Sequence, residues 1–91
     1  MKIYRIYDDE WEAIYGKKQL ICFIADWIRE HPDDFLEENN IFANVNKKDI
    51  EQYKYWLKHI LTGAGYCVEN LKFCKWAIEM ANFTIEEINV Y

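Results

Sequence analysis

The 91-residue chain has no serine, only three glycines and a single proline. The absence of serine excludes a Ser-His-Asp catalytic triad. The glycines, Gly16, Gly63 and Gly65, form neither the phosphate-binding loop of nucleotide hydrolases nor the dinucleotide-binding pattern G-x-G-x-x-G. We therefore expect neither a serine hydrolase nor a nucleotide site.

Cysteine is equally scarce, with Cys22, Cys67 and Cys74 as its three positions. An odd number excludes complete internal disulfide pairing, and no two of them form a C-x-x-C motif. No signature of a cysteine enzyme surrounds them, so we expect buried structural thiols. We predict that the protein is not an enzyme and that it binds no cofactor.

Apolar runs are short: none reaches the roughly eighteen residues that a membrane helix needs. The start, MKIYRIYDDE, also lacks the apolar core of a signal peptide. We therefore expect a soluble, cytoplasmic protein with no membrane partner. Nine lysines against two arginines, with twelve isoleucines, are typical of AT-rich genomes and indicate a bacterial host cell.

Hydrophobic residues make up 52% and aromatic residues 18% of the chain, which is typical of a folded protein. The length suits one compact domain, residues 1–91. β-branched and aromatic residues predict strands at 2–7 and 11–16, joined by the turn DDE. The end of the chain, FTIEEINVY, predicts a further strand that could pair with the first.

Apolar residues at helical spacing predict three main helices between these strands. The first starts at Lys17 and ends before Pro32. The second follows Asn46 as N-cap and ends at Gly63, for which we expect a left-handed conformation. The third has an apolar stripe from Cys67 to Ala81. The predicted fold is α+β, with a small antiparallel sheet (N-terminal hairpin plus C-terminal strand) packed against about three helices.

Negative charge is concentrated in the first half of the chain. Residues 1–45 contain ten acidic and five basic residues, whereas residues 46–91 contain six of each. The densest stretch is EHPDDFLEENN, which has five carboxylates and no Lys or Arg. We predict a short helical turn there, with Phe35 and Leu36 anchored in the core.

This cluster of carboxylates has two interpretations. Either the charges keep an exposed turn soluble, or they form an anionic binding surface. Carboxylates spaced along a rigid element can imitate a phosphate backbone and occupy a Lys/Arg-lined channel for nucleic acid. The predicted surface consists of Asp26, Glu30, Asp33, Asp34, Glu37 and Glu38, with a possible extension to Asp8, Asp9 and Glu10. The ligand spacing of a calcium loop is absent, so we predict no metal site.

Aromatic residues rimmed by charge offer a second candidate surface. Tyr55 projects from the polar face of the second helix, and Phe73 and Trp76 flank the apolar stripe of the third. Such residues anchor protein interfaces. Alternatively, this flank packs inside the domain against the sheet or the first helix.

The opening MKIYRIYDDEWEAIYGKKQLICFIADWI resembles the opening of many small proteins from phages and mobile elements of Gram-positive bacteria. It comprises a strand, a hairpin, a glycine and an amphipathic helix. In size, acidity and Lys/Ile/Asn bias the chain is similar to anti-CRISPR and other counter-defence inhibitors of that group. The resemblance implies a stoichiometric inhibitor but no particular site residue, because such inhibitors share no common fold.

Our first hypothesis is a non-catalytic inhibitor that binds the basic surface of a host nucleic-acid-handling protein, such as a CRISPR effector nuclease. A second is a dimeric DNA-binding regulator that uses the helices on either side of GAG, with Lys54 and Lys58 on the first of them. The net charge of −5 and the two arginines oppose direct nucleic-acid binding. A third is an oligomerisation module, such as a homodimer, that uses Phe73, Trp76 and Met80.

Overall fold

A computed structural model of the protein describes residues 1–90, and Tyr91, the end of the predicted last strand, lies outside them. The elements are β1 (Lys2–Tyr7), β2 (Glu12–Tyr15), α1 (Lys17–Glu30), α2 (Lys47–Thr62), α3 (Leu71–Met80) and β3 (Thr84–Asn89). Two short 3-10 turns, Pro32–Phe35 and Glu37–Asn39, lie between α1 and α2. No helix within residues 1–90 has the length and apolarity to cross a bilayer.

The sheet has the strand order β2-β1-β3, and both pairings are antiparallel. Ile6 of β1 lies opposite Ile85 of β3, so the first and last strands are neighbours. Because successive side chains of a strand point to opposite faces, Tyr4 and Ile6 are buried while Arg5 between them is partly exposed. The predicted α+β fold, with a small antiparallel sheet and three helices, is confirmed.

The helices bury their apolar stripes in a single core cluster. α1 contributes Leu20, Ile24 and Ile28, which recur at intervals of four residues and therefore share one face. α1 contacts β1, β2, α2 and α3, which makes it the central element of the packing. It ends before Pro32, as predicted, because proline cannot continue a helix interior.

The third helix is shorter than predicted. It begins at Leu71, after Asn70, whose side-chain oxygen accepts a hydrogen bond from the backbone N–H of Phe73. Cys67 therefore precedes the helix. Asparagine at an N-cap satisfies a backbone donor that the helix leaves free, and this local bond outweighs the apolar stripe that continues upstream.

The expected left-handed conformation at Gly63 is wrong, since its φ is −115°. The left-handed glycine is Gly65, with φ of 79°. Arg29 supplies the reason, because its guanidinium donates to the carbonyls of Ile60 and Gly63 at the end of α2. Because these carbonyls already accept hydrogen bonds from Arg29, the C-terminus of α2 does not need a left-handed glycine cap to satisfy them.

Candidate protein-binding surface

Residues 30–38, here called the acidic segment, form a short, anchored stretch from the last residue of α1 into the second 3-10 turn. Phe35 is its anchor: it is buried and packs edge-on against Trp76, with ring centroids 6.2 Å apart. The Asn39 side chain donates to the backbone carbonyl of Asp33 at 2.9 Å and closes the segment on itself. The carboxylates are thus attached to a backbone whose path is fixed by packing and hydrogen bonds.

All five carboxylates of the acidic segment are exposed. Within residues 1–90, four of them have no ion-pair partner, namely Glu30, Asp33, Asp34 and Glu38. Glu37 lies 3.7 Å from Lys54 of α2. The segment therefore presents several uncompensated negative charges within nine residues.

Asp26 differs from the acidic segment, although the sequence groups it there. Its carboxylate accepts a hydrogen bond from Arg29 at 3.1 Å, within α1. In the β1–β2 turn, Asp8 likewise accepts bonds from the backbone N–H groups of Glu10 and Trp11. Asp26 is exposed but paired with a cation, so part of its charge is compensated, whereas the amides that bond Asp8 are neutral and leave its charge in place.

Tyr55 lies on the exposed side of α2, as predicted, and stacks on His59 with ring centroids 4.1 Å apart. Glu37 of the acidic segment lies 3.7 Å from Lys54, the residue before Tyr55 on α2. Successive helical residues point about 100° apart, and Tyr55 lies with Glu51 and Gln52 around a different depression from the one that Glu37 and Lys54 line.

Phe73 and Trp76 are not surface anchors, and that prediction is wrong. Their relative exposures are 0% and 8%. Phe73 packs against Tyr53 and Trp56 of α2, and the Trp76 indole N–H donates to the carbonyl of Ile41 at 3.1 Å. The alternative of internal packing is right: α3 contacts α1 and β3, and its aromatic flank also packs on α2 and on the loop before α2.

The prediction of a short helix-GAG-helix turn is also wrong. Residues 63–70 separate α2 from α3, twice the length of a helix-turn-helix connection of three to four residues. The lysines of that region are partly neutralised, since Lys72 lies 2.7 Å from Asp49 and Lys75 pairs with Glu87. Five of the ten residues of α3 are buried, and the exposed residues of the helix are Lys72 and Glu79.

Sequence reasoning missed an apolar groove between the acidic segment and α2, with a volume of about 310 Å³. Leu36 and Leu61 form its exposed edges, at 41% and 43% relative exposure. Leu36, predicted to lie in the core, is instead a surface residue, while the neighbouring Phe35 is buried as predicted. An apolar residue inside an otherwise charged turn is the signal that could have revealed the groove.

The thiols have three different environments. Cys74 is buried, Cys67 is partly buried and Cys22 is exposed. The prediction of buried thiols is therefore right for Cys74 alone. Burial raises the pKa of the Cys74 thiol to about 12. The pKa of Cys67 is also raised, mainly by burial and to a smaller extent by the neighbouring Cys22. Within residues 1–90, no three His, Cys, Asp or Glu side chains are grouped to hold a metal ion.

No protein-family model, curated protein sequence or solved structure matches the chain.

Proposed function

We propose that the protein is a non-catalytic, acidic inhibitor that binds the basic surface of a nucleic-acid-handling protein. The observation that supports this proposal is the set of exposed, unpaired carboxylates on the anchored acidic segment. Charge that is not neutralised within the molecule is free to attract a partner of opposite sign. Charge complementarity of this kind accelerates association and selects against other acidic surfaces.

A cluster of exposed carboxylates suits this role because the partner's groove binds phosphates through lysine and arginine side chains. The same cations attract carboxylates, without base contacts. The inhibitor needs no catalytic residue, since it acts by occupying the groove.

Within this proposal, the narrower partner class is a CRISPR effector nuclease in a bacterial cell, with the inhibitor encoded by a phage or mobile element. That part rests on the resemblance of the opening residues and of the composition to small counter-defence proteins. The acidic segment fits such a partner, because a guide–target duplex lies in a positively charged channel.

The test compares two charge-matched double variants. Asp33→Asn with Asp34→Asn removes two charges from the acidic segment, and Glu69→Gln with Glu79→Gln removes two exposed charges elsewhere. Each immobilised protein is exposed to lysate of a Gram-positive bacterium with defence systems, and proteins released by salt are identified by mass spectrometry. Each recovered protein is then assayed for nucleic-acid binding with and without the wild-type protein.

We expect a nucleic-acid-binding protein that is retained by the wild type and by the Glu69/Glu79 variant, and lost from the Asp33/Asp34 variant. Wild-type protein should also displace nucleic acid from it. Equal retention by both variants would refute the role of the acidic segment. Retention without displacement would refute inhibition at the nucleic-acid site.

A further inference from the structure

Two of the three cysteines, Cys22 and Cys67, lie next to each other where α1 meets the segment that precedes α3. Cys22 is exposed on α1, and Cys67 is partly buried in the stretch 66–70, which is neither helix nor strand. The Cys67 thiol is within hydrogen-bonding reach of the Cys22 thiol. The fold therefore brings together two thiols that the acidic segment and the whole of α2 separate in the sequence.

Contacts on either side of Cys67 hold it against α1. Cys22 and Arg29 are seven residues apart and therefore lie on the same face of that helix. The guanidinium of Arg29 donates to the carbonyl of Tyr66, the residue before Cys67. Val68, the residue after Cys67, is buried in the core. The proximity of the two thiols is thus a consequence of the packed fold.

We propose that Cys22 and Cys67 form a redox-sensitive pair that closes to an intramolecular disulfide under peroxide and reopens with a thiol reductant. The bond would tie α1 to the segment before α3 and enclose the acidic segment and α2 in one loop. This inference goes beyond the proposed function and is independent of it, since it requires neither the carboxylates nor a partner.

Closure is a two-electron oxidation of the thiol pair, with hydrogen peroxide as the oxidant. The exposed Cys22 reacts first: its thiolate attacks one peroxide oxygen, the O–O bond breaks, and the released hydroxide takes the thiol proton to form water. The Cys67 sulfur then attacks the sulfenic sulfur of Cys22. An S–S bond forms, the S–O bond breaks, and the leaving hydroxide takes the Cys67 proton to form a second water.

Reopening runs through thiol–disulfide exchange with dithiothreitol. One sulfur of the reductant attacks the disulfide, and its second sulfur then displaces the remaining protein thiolate. Dithiothreitol is oxidised to its own cyclic disulfide, and its two protons pass to Cys22 and Cys67.

Cys74 is the competing partner for Cys67, and burial excludes it in the folded protein. Its relative exposure is 0%, and its thiol donates to the carbonyl of Val68 at 3.5 Å. Burial also raises the pKa of Cys74 to about 12, which keeps the group protonated and unreactive. In the unfolded chain the preference reverses, because Cys67 and Cys74 enclose a much shorter loop than Cys22 and Cys67. Folded and unfolded protein should therefore give different disulfides.

The test treats reduced, dilute protein with an equimolar amount of hydrogen peroxide, in buffer and in urea. Iodoacetamide then blocks the remaining thiols, and peptide mass mapping without reductant identifies the linked peptides. Electrophoresis without reductant separates monomer from cross-linked dimer. Cys22→Ala removes the exposed member of the pair, and Cys74→Ala is the matched control that removes the thiol outside it. Mapping of the wild type alone distinguishes the possible pairs, so the result does not depend on the stability of either variant.

In buffer, we expect the monomer linked through Cys22 and Cys67 to exceed the cross-linked dimer at least about tenfold, because neighbouring groups in one molecule act at a high effective concentration. Dithiothreitol should restore the reduced protein. Cys74→Ala should form the same bond, and Cys22→Ala should leave Cys67 reduced. In urea, the bond between Cys67 and Cys74 should predominate.

Three products in buffer would each overturn the pair: a bond between Cys67 and Cys74, a dimer linked through Cys22, or an oxidised Cys22 beside a reduced Cys67. Equal yields of the Cys22–Cys67 bond in buffer and in urea would overturn the role of the fold in bringing the two thiols together.

Discussion

At the scale of single residues, Arg29 joins α1 to the end of α2. Its guanidinium donates to the carbonyls of Ile60, Gly63 and Tyr66 and also contacts Asp26. Hydrogen bonds from a charged donor to partly buried carbonyls contribute more than neutral ones, and their loss leaves acceptors unsatisfied.

We expect Arg29→Met, which preserves the apolar stem, to lower the free energy of unfolding by about 2–4 kcal/mol in urea titration. The matched control is Arg5→Met on the sheet surface, where the guanidinium pairs with Glu12 at 2.9 Å. Exposed ion pairs contribute little, so that change should lower the free energy of unfolding much less than Arg29→Met does. Equal losses in the two variants would contradict the assigned role of Arg29.

The cysteines should differ in reactivity. The thiolate is the reactive form, so exposed Cys22 should be alkylated first by iodoacetamide near neutral pH. Cys74, whose pKa is raised to about 12 by burial, should be modified only on unfolding. Peptide mass mapping after timed alkylation measures both rates. Modification of Cys74 as fast as Cys22 would contradict the burial that the structure shows.

The raised pKa of Cys74 makes the free energy of unfolding depend on pH in the alkaline range. Because the folded pKa of Cys74 lies above the ordinary value of 9.0, the unfolded chain loses this proton first. The contribution of Cys74 to stability is therefore complete below about pH 9 and declines as the pH rises toward 12. A Cys74→Ala variant should show a smaller decline across that window in urea titrations.

At the scale of elements, the caps decide where helices begin. The side chain of Asn70 accepts a bond from the Phe73 N–H at 3.0 Å and starts α3. Asn70→Ala should lower the free energy of unfolding by about 1 kcal/mol, whereas Asn70→Asp should be nearly neutral. Thermal melts of both variants measure this. A similar loss in Asn70→Asp would show that the cap bond is not the cause.

Local signals allowed most elements to be predicted. Pro32 ends α1 and Asn46 caps α2 because these effects depend on residues adjacent in the sequence. The end of α2 at Thr62 was predicted, but the conformation of Gly63 was not, because Arg29, more than thirty residues away, satisfies the carbonyls there. The start of α3 was mispredicted because apolar periodicity cannot locate a cap.

At the scale of the whole molecule, the charge of the candidate surface could be predicted and its apolar part could not. The carboxylates of the acidic segment stay exposed because ionised groups are costly to bury. Phe73 and Trp76 look identical to interface anchors in the sequence, and tertiary contacts with α2 and with the segment between α1 and α2 bury them. Leu36 and Leu61 meet across a groove that exists only after α2 and the acidic segment come together.

The central claim is that the acidic segment attracts a basic partner. The most direct measurement is the association rate of the captured nucleic-acid-binding protein with wild-type protein and with the Asp33→Asn/Asp34→Asn variant, over a series of salt concentrations. Electrostatic steering predicts a wild-type rate that falls steeply with salt and a variant rate that is slower and depends less on salt. Equal rates for both proteins at every salt concentration would contradict it.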